Sequence, residues 1–404
     1  MVNAEPVKNF TNICCIIKKG NFMKWQLFIL VLAAGICCTA AMSQPNESGN
    51  FLTLLGRDTI AVEEFSFGAN GFHGTSVVRA PRTSLREYTA TFGPGGVLQQ
   101  FHITYQRYGG QVYAERTYTY TDDSIHVSVK QDTSVNNYVV ATAGRPYPFF
   151  ADIFGAWQAT LQRALMPDGK KEFDVVAGRQ LLHYKVQQGE GGKIDLLNVG
   201  SEFGPIHVEM GEGNQLQKFD LTETTDKFIG QRVAALDVEG LAKNFAEREK
   251  SGNALGTLSP RDSTRTMIGA ASVIIDYGRP SARGRKIFGG IVPWNVVWRT
   301  GANAATQLIT DKDLSIGGTF VPAGTYSLFT LPKEDGWMLI INRQHGQWGT
   351  DYDQTKDLAR VPLQVKHIDA PVEKFTIDLM QEGSGGMIDM KWENTEASVT
   401  FVVK

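Results

Sequence analysis

Cysteine is missing from everything beyond residue 38: the four in the chain are Cys14, Cys15, Cys37 and Cys38. Disulfides, thiolate metal sites and a cysteine nucleophile are therefore excluded from the remainder. A surplus of positive charge is missing too, since 40 lysines and arginines face 42 aspartates and glutamates, for a formal charge of -2. Nucleic-acid binding calls for a clearly basic domain, so that class is set aside. The chain also lacks a His-Glu-x-x-His helix motif, a Gly-x-Ser-x-Gly elbow and a phosphate-cradling Gly-x-x-x-x-Gly-Lys loop. His73, His102, His126, His183, His207 and His367 are scattered without close pairs. No metal and no cofactor is expected.

Long apolar runs are scarce. The one that exists, Leu27 to Met42, is short for a membrane span and reads as the core of a secretory signal. Met23-Lys24 makes a sensible start, so Met23 competes with Met1 for that role. Ala41 and Ser43 fit a signal-peptidase site that would leave Gln44 first. Ile36 before Cys37, and Cys37 before Cys38, are poor for lipid attachment, which disfavours a lipoprotein anchor. Residues 1–43 are thus expected to be removed, leaving an exported protein, periplasmic or extracellular, with no stable membrane span. Without disulfides such a protein must hold together by core packing, which two domains of ordinary size can supply.

From Phe51 to about Thr142 short runs alternate apolar with polar residues between turn clusters such as Gly93 to Gly96 and Asp122-Asp123, the pattern of an antiparallel meander. Phe149, Phe150, Ile153, Phe154, Trp157, Leu161, Ala164 and Leu165 recur at helical spacing, between Pro148 and Pro167. Strand patterns then resume up to Leu236. Val238, Leu241, Ala242, Phe245 and Ala246 predict a second, amphipathic helix that Asp237 caps and Gly252 ends. A stretch of linker composition, Ser251 to Ser263, follows. Beyond it nine short strands are expected, the first at Ser272 to Tyr277, with a turn at Glu393-Asn394 before the last.

The expected fold class is all-β with two domains. An N-terminal curved antiparallel sheet or half-barrel around one helix, at about 149–165, occupies 44–236. A linker helix and linker fill 237–257, and a C-terminal β-sandwich occupies 258–404.

Six motifs stand in this second half: Ser259-Pro260-Arg261, Asp276-Tyr277-Gly278-Arg279-Pro280-Ser281, Gly284-Arg285-Lys286-Ile287-Phe288-Gly289-Gly290, Trp298-Arg299-Thr300-Gly301-Ala302-Asn303, Pro322 to Phe329, and Gln347-Trp348-Gly349. In sequence and order they resemble an uncharacterised bacterial family, domain of unknown function 2911. The resemblance covers about 258–404 and implies a secreted or periplasmic all-β domain, with no activity, substrate or cofactor attached. An acidic residue commonly follows Gly-Ala-Asn in that family; here Ala304 stands there, so no role for that carboxylate carries over.

One absence marks a candidate site. From Tyr277 to Thr310 there is no Asp or Glu, while Arg279, Arg283, Arg285, Lys286 and Arg299 all lie within it. The functional reading is a site for a small anionic or carbohydrate ligand, or for an envelope protein. In it Arg279, Arg285, Lys286 and Arg299 supply donors, Asn303 an amide, and Trp294 or Trp298 a stacking face. The structural reading assigns the arginines to loop carbonyls and the tryptophans to the core. His345, with Asp351 or Asp353, is the only acid-base pairing the pattern suggests. It supports an alternative reading as a hydrolase of a glycan or ester, against a plain hairpin end. A third reading gives the N-terminal domain the apolar cavity of a lipid carrier, against an ordinary filled core. The preferred expectation is a non-catalytic, exported binding protein.

Overall fold

Alternation becomes strand where it was read most clearly: Tyr118 and Tyr120 are buried while the intervening Thr119 is exposed. The computed structural model describes residues 47–404 apart from 202; the expected signal segment, with every cysteine, lies outside the described residues. Eight strands come first: β1 (Ser48–Leu55), β2 (Asp58–Gly68), β3 (Gly71–Val78), β4 (Ser84–Gly93), β5 (Val97–Gln106), β6 (Val112–Tyr120), β7 (Ser124–Gln131) and β8 (Ser134–Ala141). Helix α1 (Phe154–Ala164) interrupts them. Six more follow: β9 (Glu172–Ala177), β10 (Gln180–Gln188), β11 (Ile194–Asn198), β12 (Ile206–Met210), β13 (Leu216–Asp220) and β14 (Ile229–Val233). All neighbours pair antiparallel, and β14 returns to β1 with Asn50 opposite Val233 and Leu54 opposite Ile229. The result is one fourteen-stranded sheet with β8 and β9 at its edges.

Helix α1 supplies the centre of this sheet's core. Phe154, Trp157 and Leu161 share one buried cluster with Phe51, Phe65, Tyr88, Phe101, Tyr184 and Phe219, drawn from strands on both sides of the β1–β14 junction. Rings fill the space: Phe51 stacks on Phe154 at 4.5 Å between centroids, and Trp157 lies 4.6 Å from Phe219. The helix was expected from about 149 but begins at Phe154. Phe149 instead donates its N–H to the Val176 carbonyl (2.8 Å) and extends the edge beside β9.

The helix start is fixed by Glu63, on β2 and 1 % exposed. Its carboxyl group accepts from the N–H groups of Phe154 (2.7 Å) and Gly155 (3.3 Å) and from the Tyr88 hydroxyl. A buried acid thus does what a capping side chain does at an ordinary helix start.

Helix α2 (Val238–Lys250) is capped by Asp237, which accepts from the Gly240 N–H at 2.8 Å. It does not hang between domains. Val238, Ala242 and Phe245 pack on Val62 and Val77, on the face of β2 and β3 opposite Glu63, and Glu249 accepts from the Thr83 N–H.

The C-terminal strands are β15 (Arg261–Ile268), β16 (Ala271–Gly278), β17 (Thr306–Thr310), β18 (Leu314–Ile316), β19 (Thr319–Val321), β20 (Gly324–Leu331), β21 (Trp337–Asn342), β22 (Asp357–Glu382) and β23 (Gly385–Val403). The count of nine agrees with expectation but the membership does not. Strand β15, which begins in the last residues of the expected linker stretch and ends before the first expected strand, was not anticipated, because its mostly exposed, polar residues give little alternation to read. Two pairs of expected strands fuse into the long β22 and β23. At Glu393, where a reversal was expected, the chain takes φ 52° and continues as an irregularity in the ladder.

Hydrogen bonding runs through all nine strands in the order β15-β16-β17-β20-β21-β22-β23-β18-β19. Past β16 the chain also pairs with the second half of β22: Phe375 donates to the Pro280 carbonyl (2.9 Å) and Ala282 to the Glu373 carbonyl (2.8 Å). The sheet therefore turns back on itself around one apolar core.

Burial pushes the Glu63 carboxyl up to about 8, against the pull of its hydrogen bonds. Between the ordinary 4.5 and 8 the folded protein keeps a proton that the unfolded chain has released. This contribution to stability is full below the ordinary value and is lost as pH rises through 8. The substitution Glu63→Gln should flatten the fall in Tm between about pH 5 and about pH 9; an unaltered slope would assign that fall to other groups.

Candidate functional site

The loop between β16 and β17 is held down by its own arginines. Arg279 donates to Asp262 (2.8 Å), to the Thr376 hydroxyl (2.9 Å) and to the Phe375 carbonyl (3.2 Å), which ties β15 to β22. Arg283 is 7 % exposed and donates to Asp58, in the N-terminal sheet. Its backbone N–H donates to Glu373 (2.9 Å), and its carbonyl accepts from the Arg57 N–H (3.0 Å). Gly56 allows that approach: its φ is +60°, and an added Cβ would lie 2.2 Å from the Arg283 carbonyl oxygen. A guanidinium and two backbone groups thus join the β1–β2 turn to the C-terminal sheet.

Trp298, expected as a stacking face, is a core residue. It stacks on Trp392 at 5.7 Å, meets Phe375 at 5.1 Å, and donates its indole N–H to the Gly301 carbonyl at 3.2 Å. Trp294 packs against Phe288 and Trp337. Both are half-buried, each with a ring stacked on it and others edge-on, so their faces go mainly to the core.

Arg299 is different. It is half-buried, and among the described residues its side chain has no hydrogen bond and no ion pair. Burial holds its guanidinium below the ordinary value. Its charge is felt by a residue outside the basic stretch altogether, Lys227, in the β13–β14 turn with φ 61°. Burial first, then the charge of Arg299, lowers the Lys227 ammonium to about 8; Arg285 adds to this and Glu223 opposes it. Glu223 itself accepts from His207 (3.1 Å). The Lys227 ammonium donates to the Thr222 carbonyl (3.1 Å).

Arg285 completes the group. It donates to the carbonyls of Ser281 (2.8 Å) and Ala282 (3.0 Å), and at 3.5 Å to that of Lys227. Lys286 is exposed. Asn303 is exposed, with φ 64°, and its amide reaches the Ser259 carbonyl at 3.4 Å. Of the six residues read as ligand-binding, Arg279 and Trp298 are committed to the fold, while Arg285 and Arg299 share a cationic group with Lys227.

The loop from 343 to 353 lies against Arg299. Gly349 donates to the Asn303 carbonyl (2.9 Å), and an added Cβ there would lie 2.2 Å from Arg299 Cδ. His345 and Asp351 are both exposed, and among the described residues neither side chain is hydrogen-bonded to anything. Asp353 caps a short turn by accepting from the Thr355 N–H (2.9 Å). The pairing read from sequence is not brought together. Other histidines do gain carboxylates: His207 meets Asp195 (2.7 Å) and Glu223, and His183 meets Asp174 (2.8 Å). These are cross-strand partners, invisible as sequence neighbours. Two open depressions lie away from all of this, on the faces of β1–β3 and β6–β8.

The two arginines of the loop should respond differently to truncation. Arg283→Ala should lose about 3 kcal/mol in urea denaturation, the low end for a buried pair because Asp58 keeps some contact with water. Arg279→Ala, on a more exposed pair, should lose about 1 kcal/mol. Equal losses would contradict the ranking by burial.

The motif resemblance is borne out over the C-terminal part, and the N-terminal half has no family assignment. No curated protein matches the chain. Residues 259–401, the part of the chain that carries Arg285, Arg299 and the 343–353 loop, match the family described as Protein of unknown function (DUF2911).

Proposed function

We propose that the chain is an exported, non-catalytic β protein, periplasmic or extracellular, whose N-terminal half-barrel and C-terminal sandwich hold a small anionic ligand where they meet. The observation that carries this reading is that Arg299 and Lys227 are both half-buried cations that no ion pair reaches among the described residues, with the charge of Arg299 felt at Lys227 and the Lys227 carbonyl 3.5 Å from Arg285. Removing a charge from water without a counter-charge is unfavourable, and placing two like charges together adds to the cost. An anion resolves both at once. Arg285 contributes further positive charge, and Lys286 and Asn303 lie exposed on the same loop for contacts at the rim. Fork-shaped guanidinium and compact ammonium together suit a carboxylate or phosphate.

A thermal-shift screen of phosphate, citrate and sugar acids, against chloride at matched ionic strength, tests the reading. An anion that binds should raise Tm in the unmodified protein and leave Arg299→Ala and Lys227→Met unmoved. Without ligand those variants should melt no lower than the parent, because a repulsion has been removed. Because Lys227 titrates near 8 when nothing is bound, affinity should fall as pH rises through that value. A screen in which no anion shifts Tm beyond chloride, or in which both variants unfold, would overturn the assignment.

A further inference from the structure

The six described tryptophans divide sharply. Trp157, Trp294, Trp298, Trp337 and Trp392 each lie in an aromatic cluster. Trp348 lies in none and is 51 % exposed. It is nevertheless held in place by its backbone. Trp348 bridges to Ala304, its carbonyl accepts from the Asp351 N–H at 3.0 Å, and the next residue is Gly349, pressed against Arg299 and hydrogen-bonded to Asn303. The residue before it, Gln347, accepts from the Ser327 hydroxyl through Oε1 (3.1 Å), yet its Nε2 is buried without a partner. An exposed indole on a fixed backbone, the exposed Asn303 amide and a half-buried cation with no ion pair among the described residues thus belong to one loop and its neighbour.

Each of these has a bland explanation when alone: single exposed apolar residues are common on protein surfaces. Together they have the composition of a site for a particular ligand chemistry. A stacking face answers a flat apolar ring surface, amide donors answer hydroxyls, and the guanidinium answers a negative group at the ring's edge. We infer that the ligand is an acidic carbohydrate, a sugar ring bearing a carboxylate, with Trp348 stacked on the ring and Arg299 on the carboxylate. This rests on the anion site proposed above and adds to it the ring, which a bare anion site does not need. The expected Trp294 or Trp298 platform is thereby replaced by a tryptophan whose face is open.

Isothermal titration with glucuronate, glucose and acetate at matched ionic strength separates the two levels. Glucuronate should bind at least about ten-fold tighter than acetate, with glucose weaker than either. Trp348→Ala should bring glucuronate down to the acetate level, Trp348→Phe should restore most of the difference, and Arg299→Ala should abolish binding of both acids. Equal affinity for glucuronate and acetate in the parent, or a glucuronate advantage that survives Trp348→Ala, would overturn the sugar assignment while the anion site stands. Failure of acetate and glucuronate alike would remove the anion site and this inference with it. Circular dichroism of the Trp348 variants checks that the fold is kept, since an exposed side chain should be removable without unfolding.

Discussion

The contact of Arg283 with Asp58 is the constraint through which the two sheets share one arrangement. It is a buried guanidinium in a left-handed backbone conformation, with its own N–H on Glu373 and its carbonyl on Arg57. Each of those bonds fixes a different degree of freedom of the loop from Gly278 to Ala305. With Arg283 fixed, Arg285 is turned onto carbonyls of its own loop and of Lys227, which brings the β13–β14 turn against the loop. The cationic group is thus a by-product of how the sheets are joined, and it is maintained by the same bonds.

This separates the basic residues by role. Arg279 and Arg283 have carboxylate partners close by, and their charge is answered within the protein. Arg285 has its donors on neutral carbonyls, and Glu373 and Asp58 act on its charge without forming an ion pair with it. Arg299 has neither. Counting cations along the loop treats its four arginines and Lys286 alike; only the identity of what each one touches shows that two arginines are structural and that the field left over comes from the other two together with exposed Lys286 and with Lys227.

Much of the fold was legible. Period-two alternation in Thr117 to Thr121 and helical spacing from Phe154 to Leu165 correspond to faces that water and core select strongly. What was not legible has physical causes. Strand β15 is a mostly exposed edge, so nothing drives alternation there. The fusion of strands in β22 and β23 depends on neighbours that keep a bent chain paired, which no local turn signal reports. Arginine partners were hidden by distance along the chain: Asp58 is 225 residues from Arg283, and Glu373 is 90 away. Lys227 could not have been found as part of the basic stretch, since only the return of β14 to β1 and the joining of the sheets bring it there. Trp298 and Trp348 carried the same sequence signal, and burial alone distinguishes them.

The boundary of the family match then has a consequence for the site. Residues 259–401 contain Arg285, Arg299, Asn303 and Trp348, whereas Lys227 and Asp58 lie outside. Residues 259–401 alone would keep the guanidinium and the open indole but lose the Lys227 ammonium. They would also lose the carboxylate that neutralises Arg283, leaving the loop with more uncompensated charge and fewer restraints on its position. In this chain the N-terminal sheet acts on the loop in two opposite ways. It cancels one cation through Asp58 and adds another through Lys227. The net charge of the loop is almost unaltered, but positive charge is moved away from Arg283, which locks the sheets together, and toward Arg299, whose side chain has no hydrogen bond or ion pair among the described residues. Charge redistribution of that kind orients a site without making the whole surface basic, which fits a chain whose overall charge is only -2.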